Sequence, residues 1–369
     1  MYSYLILGGA SLAGRNLVRY LVENGLAKRI RVIDRVLLET GYFSPSCLKA
    51  FNQVEYTQSN LNNKDAIKRA FQLEDGSTWD IVINATLDVK RSQPKEIYEE
   101  RIYNLSLDIA NESIENKVKV LLMISSSQVY NTKKTPNKED DELKGLSLYA
   151  QYIIKAEKEI LNMKNLNCII LRPGLQYGPG DTLYIMPLLV LGKVYQHLKE
   201  PMPSFWKKDF KLNVIHVLDL ARAIHHTVKW YIDEDKKGVE IFNVVDEGDT
   251  DSAKIQSIIM EIFGIRFESL NSVIINFFKS NLDQFLEDAN DKHIEPWAEL
   301  LKQHNIPNSP LIPYLDQEAV NLAPVWLDNT KIKKLTKFEV SIPKINADLL
   351  MEVLVEFQQM KLWPGKIKQ

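Results

Sequence analysis

Residues 7–14, LGGASLAG, set Gly8 and Gly14 at the junction between an apolar run, YLIL, and a stretch with helical spacing, LAGRNLVRYLVENG. A glycine-bearing turn there presents backbone N–H groups at a helix start, where hydrogen bonds and the helix dipole stabilise a pyrophosphate. Glycine-rich turns also serve as plain packing turns; the place between first strand and first helix is what points to a ligand. Asp34 ends the next strand-like run, RIRVIDR, about twenty residues past Gly14, where an acid accepts both hydroxyls of an adenosine ribose. It would repel a 2′-phosphate, so NAD is the expected ligand; Arg35 beside it keeps NADP as the lesser alternative. No metal is expected: His216, His225 and His226 show neither triad nor ligand spacing, and His216 lies in an apolar run as a structural histidine would. With two cysteines, Cys47 and Cys168, neither a disulfide framework nor a zinc site is supported, and a reducing compartment is expected.

The elements that must position these residues alternate along the chain. YLIL, RIRVIDR, VEYTQ, WDIVINA, KVLLMISSS and NCIILRP read as strands. Between them, NKDAIKRAF is a helix opened by Asn63 or Asp65, PKEIYEERIYNLSLDIANESIEN is one long amphipathic helix, and LYAQYIIKAEKEILNMKN is another. This order with apolar strands predicts an α/β fold, a Rossmann doubly wound parallel sheet with helices on both faces. Past residue 175 the pattern loosens into PGDTLYIMPLLVLGKVYQHL (helix), LNVIHV (strand), LDLARAIHHTVKWYI (helix) and EIFNVV (strand). From residue 250 onward it predicts a smaller, mostly helical C-terminal lobe with Pro-bearing connections. The expected division is 1–175 plus about 210–246 for the Rossmann domain, and 176–209 plus 247–369 for a substrate-type lobe. Within the lobe, residues 272–304 read as an amphipathic helical stretch, covering either the chain's own cleft or another chain.

The 369 residues are 45% hydrophobic and 25% charged, with a formal net charge of −2, ordinary for a globular chain. That balance gives no reason to expect nucleic acid, and no run reaches the roughly 18 apolar residues of a membrane helix. The first strand-like run starts close to Met1 and leaves no space for a leader, so the cytoplasm is expected, with an organelle or a large assembly as the alternative.

Read in order, several segments resemble the extended short-chain dehydrogenase/reductase family, of the NAD-dependent epimerase/dehydratase type. LGGASLAG is similar to that family's TGxxGxxG, with Leu7 for the threonine and Ser11 for the middle glycine. SNL at 59–61 resembles an adenine-contacting Asp-Leu, with Asn60 replacing the acid before Leu61. NAT brings Asn84 and Ala85 to the place where the cofactor passes the sheet, and YNLS places Asn104 on the long helix. SSSQVY resembles the family's serine strand, LYAQYI its tyrosine helix, and LRPGLQYGPGD the stretch that carries Arg172 and Pro173. NVIHVLDLARAI is similar to a later segment, and LDNTKIKKLTKFEV continues the likeness more weakly near the C-terminus.

The resemblance implies cofactor contacts from Gly8, Ser11, Gly14, Asp34, Asn60, Leu61, Asn84, Ala85, Asn104, Arg172 and Pro173. It also implies Ser126 and Tyr149 as the pair that moves the proton while hydride goes to the nicotinamide. The family's tyrosine works beside a lysine one turn on, whose charge lowers the phenol pKa and whose ammonium holds the ribose. Here that position is Ile153. A residue four further along a helix is rotated by about 40° and shares the tyrosine's face, whereas Lys155 and Lys158 are rotated by about 240° and about 180°. The cation is lost, not moved. Ser11 adds a Cβ where backbone approaches pyrophosphate, and Leu175 stands where many nucleotide-sugar members carry asparagine. The leading expectation is therefore an NAD(H)-binding pseudoenzyme with a structural or accessory role, with protein partners or a homodimer. The alternatives are an active epimerase, dehydratase or hydroxyl dehydrogenase using Ser126 and Tyr149, and a redox-state sensor.

Overall fold

The computed structural model describes residues 1–87, 90–131, 134–204, 206–269, 282–320 and 322–365. Its centre is a seven-stranded sheet of β1 (Tyr2–Leu7), β2 (Ala27–Asp34), β3 (Glu55–Gln58), β4 (Ile81–Asn84), β5 (Val120–Ile124), β6 (Cys168–Pro173) and β10 (Val239–Val244). All neighbours run parallel, in the order β10-β6-β5-β4-β1-β2-β3. Parallel strands covered on both faces need apolar residues at every position. In β5 the parity is visible: Val120, Leu122 and Ile124 pack on one face, Leu121 and Met123 on the other. Fully burying each such side chain is worth roughly 1.5–3 kcal/mol.

One face is covered by α1 (Leu12–Glu23), α2 (Pro45–Phe51) and α8 (Val217–Asp233). The other carries α3 (Lys64–Phe71), α5 (Leu105–Glu115) and α6 (Leu148–Asn162). Asn63 caps α3, its side chain accepting the Asp65 N–H at 2.9 Å.

Two differences from the expected elements bear on the site. The single long helix is divided into α4 (Lys95–Tyr98), a π-helical turn (Glu99–Asn104) and α5. A π turn inserts one residue and so rotates the helix beyond it. Helix α7 (Met186–Leu198) starts late, because Asp181 draws residues 183–185 into a loop ahead of it. Its buried carboxylate accepts the N–H groups of Leu183, Tyr184, Ile185 and Met186 at 2.8–3.0 Å.

Two short parallel pairs join the sheet to the helical part: β7 (Leu175–Tyr177) with β9 (Val214–His216), and β8 (Met202–Ser204) with β11 (Phe267–Ser269). β9 falls within LNVIHV, expected as a strand; β7, β8 and β11, with three residues each, are too short for periodicity to reveal. The C-terminal region is largely helical, with α9 (Ser252–Phe263) and helices at Leu282–Gln303, Thr330–Thr336 and Ala347–Gln359. The stretch expected over 272–304 is thus helical from Leu282, and its part 272–281 lies outside the described residues. Trp297 and Trp363 meet edge-on, ring centroids 5.7 Å apart, in the core that α7, α9 and Ala347–Gln359 share.

Candidate functional site

The C-terminal ends of β1, β2 and β4 open onto a cleft of about 240 Å³, and its shape begins at Gly8. Gly8 has φ +82, and a Cβ there would lie 2.6 Å from the Ala85 carbonyl oxygen, so the turn after β1 seats directly on the end of β4. A Cβ on Gly14 would lie 2.5 Å from the Gly8 carbonyl oxygen, so α1 starts pressed against the same turn. Ser11 is the N-cap of α1: its hydroxyl folds back and accepts the Gly14 N–H at 3.1 Å. Serine in place of glycine therefore stabilises the helix start that faces the cleft.

Asp34 stands at the rim and is 8% exposed. Its carboxylate accepts the Ala10 N–H at 2.8 Å and the Val36 N–H at 3.1 Å, one on each oxygen. A carboxylate has about four acceptor positions, so both oxygens can still accept a ribose hydroxyl. Asn60, Leu61 and Ala85 line the cleft as well. The Asn60 side-chain oxygen accepts the Asn62 N–H at 3.2 Å, and so also shapes its own turn.

Other residues expected at the cofactor lie elsewhere. Asn84 is buried beneath the cleft, its side-chain oxygen accepting from the Thr86 N–H and hydroxyl at 3.1 and 2.7 Å. Asn104 is exposed at the end of the π turn, and Arg101 and Leu105 face the cleft from that helix instead. The Arg101 Nε is buried without a hydrogen-bond partner. Arg172 and Pro173 are buried behind the cleft. Arg172 Nη2 meets Glu157 Oε2 at 2.5 Å and its Nη1 donates to the Tyr130 hydroxyl at 2.7 Å. Burial opposes the Arg172 charge, and the Glu157 carboxylate, then Tyr130, outweighs it and raises the pKa. Such a pair, with both members out of solvent, holds β6 to α6, and four of the five guanidinium N–H groups are spent within the protein.

Beyond Ser11 the cleft narrows to a cavity of about 20 Å³, room for about one water. Tyr149 forms part of its wall, 3% exposed, donating its hydroxyl to the Leu87 carbonyl at 3.2 Å. The Arg91 guanidinium covers its ring at 3.5 Å. Ser125 lines this cavity and donates to Glu157 Oε1 at 2.5 Å. Ser126 instead accepts the Gln128 N–H at 3.1 Å, capping a one-turn helix. Ile153 is 0% exposed within the apolar cluster that includes Tyr149, Leu87 and Leu327. Lys155 is exposed, paired with Glu99 at 3.3 Å and lying over the Tyr103 ring at 3.8 Å; Lys158 is exposed too. The wall of the narrow cavity contains no lysine among the described residues.

The other candidates are structural. His216 caps α8, its Nδ1 accepting the Leu218 N–H at 3.2 Å, and burial lowers its pKa to about 4 against a smaller opposing effect of Asp219. Cys47 and Cys168 are buried free thiols, both pushed up by burial. Among the described residues no cluster of His, Cys, Asp or Glu could hold a metal, and no helix is long and apolar enough to cross a membrane.

The model of the NAD dependent epimerase/dehydratase family matches residues 4–244. The chain belongs to this family. Its relatives include the 3 beta-hydroxysteroid dehydrogenase/Delta 5-->4-isomerase of Vaccinia virus (strain Ankara), 29% identical over an alignment of 202 residues that covers 50% of this chain. The protein of that name in Monkeypox virus is 29% identical over 198 residues. The chain spans about half the length of these curated relatives, 55%. Among solved structures, the UDP-glucose-4-epimerase of Stenotrophomonas maltophila with bound NAD and formylated UDP-arabinopyranose aligns with TM-score 0.69 at 13% identity, covering 98% of this chain and 99% of that one. The Bordetella bronchiseptica enzyme WbmG in complex with NAD and UDP aligns with TM-score 0.66 at 15% identity, covering 98% and 96%. At those identities the likeness is one of fold.

Arg101, Ser125, Arg91, Glu157 and Gln176 are among the residues at the site that the sequence reading did not assign to it. Of these, Gln176 carried a signal, a polar side chain beside Leu175 and Tyr177 in RPGLQY. The others depend on contacts between distant segments.

Proposed function

We propose that the protein binds NAD(H) in the cleft above β1, β2 and β4, with catalysis lost or much weakened and a structural or accessory role. The observation that carries this is Asp34 at the cleft rim, oriented by two backbone N–H groups, facing the Gly8/Gly14 turn and the start of α1. Adenosine ribose fits the carboxylate, the diphosphate fits the α1 N-terminus, and the Arg101 guanidinium supplies a cation for it. A 2′-phosphate would lose hydration beside Asp34, which favours NAD over NADP. Neighbours of the same fold that hold NAD support a dinucleotide. The weak chemistry follows from Ile153, which leaves no ammonium one turn after Tyr149 to hold the nicotinamide ribose or to stand beside the phenol. With this reading goes the division into a dinucleotide domain, 1–175 plus about 210–246, and a substrate-type lobe, 176–209 plus 247–369.

Calorimetric titration of the purified chain with NAD, NADH, NADP and NADPH tests the reading. Tighter NADP binding would overturn the preference, and binding of none of them would overturn the function.

One observation favours a second reading, an active epimerase, dehydratase or hydroxyl dehydrogenase using Tyr149 with Ser126. Arg91 places a cation on Tyr149, 3.5 Å over the ring, where the family has its lysine on the following turn. The Vaccinia relative makes secondary alcohols of sterols a class to try. Nicotinamide absorbance with sterols, nucleotide sugars and simple secondary alcohols distinguishes the two: turnover at rates ordinary for an enzyme supports this reading and removes the first.

A further inference from the structure

Strand β7 sets one polar side chain against the narrow cavity. Gln176 is 7% exposed and shares the cavity wall with Ser11, Ala13, Ser125 and Tyr149. Its backbone is held in register with Ile215 of β9, and its neighbour Tyr177 packs into the helical core. The Gln176 Oε1 is buried and has no hydrogen-bond partner in the protein. Buried amide oxygens are almost always satisfied, and leaving one unsatisfied is destabilising. Leucine or methionine would fill the same space without that penalty. An acceptor kept without a partner on a residue that lines a cavity is accounted for by an occupant that donates to it.

Resting on the dinucleotide reading, we infer that Gln176 is a positioning residue for the reactive end of the cofactor, its amide receiving the carboxamide of the nicotinamide. Ser11 lines both the wide cleft and the narrow cavity, and Ala13 stands on the first turn of α1. A group entering the cavity is therefore the one attached beyond the diphosphate. Ala13, Ala85, Leu87 and Ile124 give the cavity apolar walls suited to a flat ring. The carboxamide is the polar substituent of that ring, and its NH2 donates to Oε1 while the Gln176 NH2 faces its oxygen. The present cavity is too small for the ring, so the wall formed by Leu87 and Tyr149 must give way as it enters.

The test is calorimetric titration of the full chain with NAD, with ADP-ribose, which lacks the nicotinamide, and with the 3-acetylpyridine analogue of NAD, whose methyl ketone keeps the oxygen and lacks the NH2. The parent is expected to bind NAD about tenfold tighter than the acetylpyridine analogue, the size of one well-made hydrogen bond. Gln176→Leu and the shape-conserving Gln176→Met should bind both dinucleotides alike, with ADP-ribose affinity unchanged. A parent that does not distinguish the two dinucleotides overturns the inference without any variant. So do variants that leave NAD affinity intact, which means water satisfies Oε1, and variants that weaken NAD and ADP-ribose equally, which means a purely structural role. A parent that binds ADP-ribose but gains nothing from the nicotinamide sinks this inference alone; one that binds neither ligand sinks the dinucleotide reading with it.

Discussion

At the wide end of the cleft the backbone sets the geometry, and at the narrow end side chains do. Gly8 and Gly14 bring the β1 turn, the β4 end and α1 within contact distances that no Cβ would allow, leaving about 240 Å³ open beside Asp34. At the narrow end the Tyr149 hydroxyl holds the Leu87 carbonyl, the Arg91 guanidinium covers the Tyr149 ring, and the cavity that Tyr149 and Leu87 help to line is about 20 Å³. Ile153 belongs to the packing there, 0% exposed, where an ammonium would need a polar partner. The contrast teaches that one end of a cleft can stay open on a backbone turn while the other closes into the core. The two ends share Ser11 and Ala85 and otherwise rest on different residues.

The largest expected effect breaks the contrast at Ile153. Ile153→Lys sets an ammonium in an apolar cluster and is expected to lower unfolding stability by about 3–5 kcal/mol, the scale of an uncompensated buried charge. Denaturant unfolding measures it. A variant as stable as the parent, with tighter NAD binding, would show that the narrow end opens readily and that position 153 reaches a ligand.

Gly8→Ala attacks the wide end. A Cβ 2.6 Å from the Ala85 oxygen at φ +82 is expected to destabilise the chain by about 1–3 kcal/mol and to weaken dinucleotide binding at least tenfold. Equal affinity in the variant, read by calorimetry, would remove the turn from the binding site.

Asp34→Asn sharpens the assignment within the wide end. Losing the charge while keeping one acceptor should shift the NAD-to-NADP affinity ratio about tenfold towards NADP, roughly 1.4 kcal/mol. An unchanged ratio would mean that Arg35, not Asp34, meets the ribose.

The smallest effect is expected for Arg91→Ala. The guanidinium–ring contact is worth about 0.5–2 kcal/mol, so its removal should let NAD bind a few-fold tighter while ADP-ribose is unaffected. Loss of a measurable turnover in this variant would instead support Arg91 as the cation that serves Tyr149.

Much of the fold was legible because buried parallel strands are written as unbroken apolar runs. YLIL, KVLLMI and NCIILRP could hardly be anything else. The Gly8/Gly14 turn and Asp34 were legible too, since a glycine requirement and a strand-end acid are local. The contents of the narrow end were not. Asn104 was expected at the cofactor, yet a π turn rotates it outward and leaves Arg101 facing the cleft. Arg172 was expected there as well, and a buried carboxylate 15 residues earlier in the chain, Glu157, claims it.

The sequence by itself determined the strand order's raw material, the glycine turn after β1 and the absence of a lysine one helical turn after Tyr149, because each rests on neighbours along the chain. Tertiary structure alone decided that Ser125 rather than Ser126 lines the narrow cavity, that Arg91 covers Tyr149, and that Gln176 holds an unmatched acceptor there. Those outcomes depend on segments separated by tens of residues meeting at one strand end. Which hydrogen bond forms there is settled by packing geometry, and no spacing along the chain encodes it.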